Sequence, residues 1–286
     1  MGMSDRTVNE PNIEMVIQAH QALRHRTPLV QCLTNNVTVN FVANALLAAG
    51  ATPAMVDNPE EAGRFAAVAD AVLINLGTPE SDQVKSMHKA AGGAHKAGTP
   101  WVLDPIGAGS LKWRHGLALE LLEHHPTVVR GNASEIIGLA GQDGAGRGVD
   151  SSKTPQMAVS AARDLLKYAC AVSTSGPVDT LVGPLLDRHT SGPVQIEVSG
   201  GSPWQPRVTG TGCALGAIIA AYCAVVRDPL SAAVAAHVHI AVAAELAEDQ
   251  ANGPGSFAVA WLDALDQVDE TLLRQRGTIA MRWLDT

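Results

Sequence analysis

Ala71-Val72-Leu73-Ile74-Asn75-Leu76-Gly77 decides the fold. A short, nearly continuous apolar run closed by glycine reads as a strand buried on both faces rather than one half-exposed to water. The same kind of run recurs on either side of it. Upstream lie Leu29-Val30-Gln31-Cys32-Leu33 and a strand-like stretch over 52–56; downstream lie Trp101-Val102-Leu103, ending at Asp104, and Thr127-Val128-Val129, ending at Arg130. Helical patterns fill the gaps: an amphipathic stretch around Ile13, Val16, Ile17 and Leu23, then 39–49 stopped by Gly50, a helix opened by Pro59-Glu60-Glu61, 79–96, and 117–124. Buried strands alternating with helices predict an α/β architecture, a mostly parallel central sheet with helices on both faces in three layers. Such sheets bind ligands beyond the carboxyl ends of their strands. The residues at those ends are polar: Thr34-Asn35, Asn75 to Gly77, Asp104-Pro105 and Arg130-Gly131-Asn132.

Beyond Pro155 the pattern changes. A helix over 157–167 and a strand over 169–173 lead to an antiparallel hairpin pairing Thr180-Leu181-Val182 with 194–198, and three helices follow over 213–226, 230–248 and 256–274. The stretch 141–152 reads as a loop, not a linker, because the strand–helix rhythm resumes after it. The expectation is a single domain over 1–286, with residues 1–11 a flexible tail.

Composition narrows the function. The 286 residues carry 20 Lys and Arg against 28 Asp and Glu, a net charge of −8. Wrapping nucleic acid needs clustered cations, and the longest basic feature is Arg24-His25-Arg26, so no nucleic-acid partner is expected. The longest apolar stretch noted, 212–226, falls short of the ~18–20 residues that span a bilayer, so no membrane association is expected. The polar N-terminus lacks the apolar core of a signal peptide. Cys32, Cys170, Cys213 and Cys223 form no Cys-x-x-Cys pair. Reduced thiols in a cytoplasmic protein are the simple reading.

The strongest local motif is Val208-Thr209-Gly210-Thr211-Gly212-Cys213-Ala214, which runs straight into an apolar helix. Glycines at a helix start let the backbone approach an anion, and the unpaired first N–H groups then point at it. A phosphoryl group in transfer is such an anion; a plain tight turn remains the alternative. Gly210, Thr211, Gly212 and Cys213 are the candidate anion hole. Cys213 falls in the helix's first turn, where a thiol is acidified, although a buried Cys packing as a small hydrophobe fits as well. Cys32, Cys170 and Cys223 read as core. Asp104 at one strand end and Glu135 after another suit a Mg²⁺ that keeps waters beside a nucleotide, with Glu135 as an ordinary helix-start acid the alternative. Arg130 reads as a phosphate clamp or a surface ion pair. His237 and His239, two apart, cannot share a helix face and read as structural.

With these motifs in place the chain resembles the hydroxyethylthiazole kinase family. The resemblance rests on Pro28-Leu29-Val30 through Asn35, Asn44-Ala45-Leu46-Leu47 with Gly50-Ala51, Met55, and Asp104-Pro105-Ile106-Gly107-Ala108-Gly109. It continues through Arg130 to Ile136, Gly148-Val149-Asp150-Ser151, Thr209 to Cys213, and Gly253-Pro254-Gly255-Ser256-Phe257. Cys213 is the most discriminating residue, because related sugar and vitamin kinases usually place Asp there. The resemblance implies a ribokinase-like fold and transfer of the ATP γ-phosphoryl to the hydroxyl of 4-methyl-5-(2-hydroxyethyl)thiazole in thiamine salvage. It further implies Mg²⁺, Met55 and Gly210 at the thiazole with Asn35 nearby, and Arg130 and Ser175 at ATP. It implies Asp104 and Glu135 on the metal side, and a homotrimer with active sites at subunit interfaces.

The chain departs from the family pattern at three places. Ser175 stands where Thr is common and Pro177 replaces an acid. Gln31 stands where His is common. The segment 183–192 carries extra residues. Because a thiol is a poor base, Cys213 is expected to assist by position in a slow enzyme. A pyrimidine-alcohol kinase, a nicotinamide-nucleotide repair dehydratase of the same fold, and a binding protein without turnover are the rival readings. With 3% aromatics, adenine is expected between aliphatic side chains.

Overall fold

The computed structural model describes residues 11–142, 154–186 and 192–284. Helix α1 (Ile13–Arg26) precedes the buried strand β1 (Leu29–Leu33). Then come α2 (Val39–Ala49), β2 (Thr52–Ala54), α3 (Ala62–Ala66), β3 (Ala71–Asn75), α4 (Ser81–Ala97), β4 (Trp101–Asp104), α5 (Lys112–Leu122) and β5 (Val128–Asn132). Helices α6 (Ala133–Leu139) and α7 (Thr154–Leu165) lead to β6 (Ala171–Ser175), β7 (Asp179–Gly183) and β8 (Val194–Ser199). The remainder is α8 (Thr211–Cys223), α9 (Pro229–Gln250), α10 (Pro254–Gln267), α11 (Glu270–Arg276) and β9 (Thr278–Trp283).

The strands form one nine-stranded sheet in the order β2-β1-β3-β4-β5-β6-β7-β8-β9. Pairings from β2 through β6 are parallel, and β7, β8 and β9 join antiparallel. The expected hairpin forms, with Leu181 opposite Ile196. Alternation along β3 shows why its run is apolar throughout. Ala71 and Leu73 enter the core under α1, α2 and α8–α11, while Val72 and Ile74 enter the core under α3–α7. All five β3 residues are buried. Burying Val72, Leu73 or Ile74 contributes about 1.5–3 kcal/mol each, so a polar residue at any of these positions would weaken the core that its side chain enters. The three-layer reading holds.

The strand order reverses at β1, whose neighbours are β2 on one side and β3 on the other. That switch point opens a crevice at the carboxyl ends of β1 and β3, where Asn35 and Asn75 lie.

Several expectations change. The helix expected over 256–274 is two helices, because Asp269 caps a new start by accepting a hydrogen bond from Leu272 N–H at 2.9 Å. Strand β9, unforeseen, follows. Among the described residues one helix, α9, is long and apolar enough to cross a membrane by length and composition, contrary to the reading that no segment is; about four-fifths of its most apolar stretch is buried inside the protein. Cys170 is exposed and so is not a core residue, whereas half-buried Cys223 packs against the core and Cys32 is buried, where burial pushes its thiol up to about 12. The expected N-terminal tail lies outside the described residues except Pro11, which is buried. Most of the loop at 141–152 and the tip of the 183–192 segment also fall outside them.

Candidate active site

Helix α8 begins without a side-chain cap among the described residues. Its Ncap is Gly210 at φ +107°, a left-handed conformation open to glycine and strained for other residues. Ala214 N–H returns to the Gly210 carbonyl at 2.8 Å, so the helix's first N–H groups have no partner within the helix. Thr211 anchors the turn by donating its hydroxyl to the Gln205 and Val208 carbonyls at 2.9 and 3.2 Å. Gly210, Thr211, Gly212 and Cys213 all border a cavity of about 890 Å³. A Cβ on Gly212 would lie 3.3 Å from Arg130 Nη2, so glycine there lets the guanidinium press against the helix start.

Arg130 projects from β5 and is buried to 8% exposure. Its Nη2 donates to Ser175 Oγ at 2.9 Å, and its Nη1 donates to Asp104 Oδ2 at 3.3 Å. The surface ion pair considered for Arg130 is therefore excluded. Asp104 is fully buried at the end of β4 and also accepts from Asn75 Nδ2 at 2.8 Å. Burial lifts its carboxyl above the usual range; Arg130 opposes that and the nearby Glu135 charge adds to it.

Glu135 sits in the first turn of α6. Its Oε2 accepts from Asn132 N–H at 2.8 Å, while Asn132 Oδ1 accepts from Glu135 N–H at 3.0 Å, a reciprocal capping box. Glu135 Oε1 accepts from Gly107 N–H at 3.1 Å. The helix-start reading of Glu135 is thus real, yet the same residue borders the cavity.

The metal question turns on these two acids. Asp104 Oδ1 is buried with no hydrogen-bond partner among the described residues, and the nearby Glu135 charge adds to the cost of ionising Asp104. A divalent cation relieves both conditions. A Mg²⁺ that keeps water and substrate phosphates asks for as few as one or two carboxylates, which this pair would supply; Glu135 borders the cavity whereas Asp104, fully buried, does not, and no cluster of three or more His, Cys, Asp or Glu that could hold a metal is found among the described residues.

Cys213 is 8% exposed in the first turn of α8. Asn35 Nδ2 lies 3.4 Å from its Sγ and 3.2 Å from Asn75 Oδ1. Asn35 therefore touches Cys213 without itself bordering the cavity. Met55 follows β2, half-buried against the core, and does not border the cavity either. Gln31 is fully buried and donates to the Val56 and Ala62 carbonyls at 2.7 and 3.1 Å, fixing the segment just past Met55. The cavity's apolar wall includes Leu215, Val208, Ile240 and Pro203, with no aromatic ring among the described lining residues. His237 and His239 point apart as expected. His237 meets Ser173 and Asp179, whereas His239 meets Tyr222 and the Leu265 carbonyl.

Sequence reasoning placed Asn75 at a strand end without giving it a role and missed Asp179 as part of this network. Asn75 accepts from Asn35 and from Gly77 N–H at 2.9 Å while donating to Asp104, linking three strand ends. Its signal was visible, as the one polar residue of an otherwise apolar strand. Asp179 borders the cavity beyond Pro177.

Comparison with known proteins agrees with this geometry. Residues 20–271 match the model of the hydroxyethylthiazole kinase family. A hydroxyethylthiazole kinase from Rhodococcus erythropolis is 55% identical over 269 residues, covering 94% of each chain. The structure of hydroxyethylthiazole kinase from Pyrococcus horikoshii superposes with a TM-score of 0.84 at 37% identity, covering 94% of this chain and 99% of that one. A pyridoxal kinase from Staphylococcus aureus, in complex with AMP-PCP and pyridoxal, shares the fold at a TM-score of 0.61 and 12% identity, over 90% of this chain and 99% of that one.

Proposed function

This chain belongs to the hydroxyethylthiazole kinase family, with its ribokinase-like α/β/α fold, and from that premise we propose how its residues divide the work. The enzyme transfers the γ-phosphoryl of ATP to the hydroxyl of 4-methyl-5-(2-hydroxyethyl)thiazole in thiamine salvage. The alcohol must lie in line with the γ-phosphate while charge on the transferring group is neutralised; positioning and electrostatics supply most of this.

The observation that carries the assignment of roles is the uncapped start of α8 facing the cavity with Arg130 pressed against it. The N–H groups around Gly210, Thr211, Gly212 and Cys213 receive the transferring group. Arg130, oriented by Ser175 and Asp104, holds the polyphosphate. Asp104 and Glu135 are the residues that would hold Mg²⁺, which when bound neutralises phosphate charge. Adenine lies against the aliphatic wall of Leu215, Val208 and Ile240. Cys213 stands at the alcohol and, steadied by Asn35, assists by position more than by basicity, so turnover is slow.

Met55 and Gly210 take the thiazole ring. Because Met55 does not border the cavity of one protomer, the reading includes a homotrimer with sites completed at the interfaces; exposed Val37, just before α2, and exposed Leu47, within it, support an apolar contact on that helix. A cytoplasmic location is supported by four free thiols. A single domain over 1–286 is supported by one sheet that runs from β2 to β9. The partners are small molecules, with neither nucleic acid nor membrane. A coupled ADP-release assay tests this, using Mg-ATP with the thiazole alcohol beside a pyrimidine alcohol control. Thiazole-dependent ADP is expected; its absence overturns the proposal.

A further inference from the structure

Ser173, Asp179 and His237 meet although 58 and 64 residues separate His237 from the other two. His237 Nε2 lies 2.5 Å from Ser173 Oγ, and His237 Nδ1 lies 2.7 Å from Asp179 Oδ2. The spacing matches a nucleophilic triad, but Ser173 is wholly buried within β6 and no substrate reaches it. The cluster does something else. Asp179 is ionised, since burial would raise its carboxyl but His237, the Gly176 N–H and Arg130 together hold it below the ordinary range. A carboxylate only accepts, so Nδ1 of His237 carries the hydrogen that faces it. The other Asp179 oxygen accepts from Gly176 N–H at 3.0 Å. Gly176 follows Ser175, whose Oγ receives Arg130 Nη2 at 2.9 Å.

The path from α9 to the cavity is therefore continuous: His237, Asp179, the Ser175–Gly176 turn, Arg130. Ser173 holds the far nitrogen of the imidazole, so the ring cannot rotate without breaking a buried contact. Asp179 borders the cavity, and a bare carboxylate there would repel a polyphosphate. With one oxygen on His237 and the other on Gly176, its charge is turned into the wall.

We propose that Asp179 and His237 are positioning residues for the phosphate donor. They fix the height of the Ser175–Gly176 turn and, through Ser175, the plane of the Arg130 guanidinium. The proposal rests on reading the cavity as the ATP site.

Asp179→Asn and His237→Gln are compared with the unaltered enzyme by calorimetric titration with Mg-ATP and by steady-state kinetics. Losing one charge-assisted hydrogen bond in the chain is expected to raise the Kd and KM for ATP about tenfold. The KM for the thiazole alcohol should stay within about twofold, since the path does not reach its side of the site. On a Ser175→Ala background, Asp179→Asn should add less than about twofold, because the intermediary is already gone. An unchanged ATP affinity overturns the proposal. So does an equal rise in both KM values, or an undiminished effect without Ser175. Should His237→Gln fail to fold, the near-isosteric Asp179→Asn decides; if that variant also fails to fold, the pair is merely structural and the proposal falls. Absence of ATP binding by the unaltered enzyme would instead refute the nucleotide reading of the cavity.

Discussion

Replacing Gly210 by alanine attacks the site at its narrowest point. The residue lies at φ +107°, and a Cβ built there falls 2.8 Å from Phe41 Cδ1, 3.2 Å from Cγ and 3.3 Å from Cβ. Phe41 has little room to retreat, because it stacks on Trp261 with centroids 5.5 Å apart and rings 6° from parallel, and Trp261 is fully buried. Two costs combine. Holding an L-residue in the left-handed region costs about 1–2 kcal/mol, and overpacking a filled core costs about 1–3 kcal/mol. The variant should therefore lose about 2–5 kcal/mol, which for a chain of this size lowers Tm by about 5–15 °C. Relaxation of the turn also displaces the N–H groups at the start of α8, and a shift near 1 Å lowers turnover by about a hundredfold. Scanning calorimetry at fixed protein concentration measures the first effect, and ADP release at saturating substrates the second. Adding Phe41→Leu should recover part of the Tm loss but not the backbone strain. A Gly210→Ala enzyme that melts within about 1 °C of the parent and turns over normally would refute both parts.

Cys213→Ala should slow turnover while leaving both substrate affinities near their original values, and Cys213→Asp should remain active. Complete loss of turnover in the alanine variant with normal substrate binding, or an inert but folded aspartate variant, contradicts a mainly positional thiol. Glu135→Gln should raise the Mg²⁺ concentration for half-maximal turnover while α6 stays capped, measured by Mg²⁺ titration at fixed ATP; an unchanged requirement removes Glu135 from the metal side. His20 and His239 pack edge to face at 4.8 Å, and burial pushes them down to about 4 and about 3. Both native values lie below the ordinary 6.5, so on acidification the unfolded chain binds protons first. Their contribution is whole above about pH 6.5 and declines below it, by up to about 1.4 kcal/mol per pH unit for each ring. Urea midpoints at about pH 7.5 and about pH 5.5 should differ accordingly, and His239→Gln should narrow the gap; an undiminished gap in that variant refutes the assignment.

Much of the architecture was legible because buried parallel strands carry a strong signal. The run around Leu73 must satisfy two cores, which leaves few polar residues, and those few stand at the strand ends where ligands bind. Arg130, Asp104 and the turn from Gly210 to Cys213 were found that way. Strand β9 was not, because its alternation is weak: four of its six residues, Thr278, Ala280, Arg282 and Trp283, are exposed, and the strand exists through pairing with β8. The break between α10 and α11 could have been read from Asp269 as a helix start. The bond between Asp179 and His237 could not. It joins residues far apart in sequence across a sheet turn, and no local pattern marks such a contact.

Helix α9 has a consequence for the chain before it is folded. By length and apolarity alone this helix passes for a membrane-spanning segment, and while it is unpacked its apolar surface is the kind that promotes aggregation. What sets it apart is its pair of imidazoles. Among the described residues His237 is held by Ser173 and Asp179, and His239 by Tyr222 and the Leu265 carbonyl, partners that the finished sheet and its neighbouring helices supply and hydrocarbon does not. The polar groups of the helix thus find in the protein's own interior the partners that hydrocarbon does not offer.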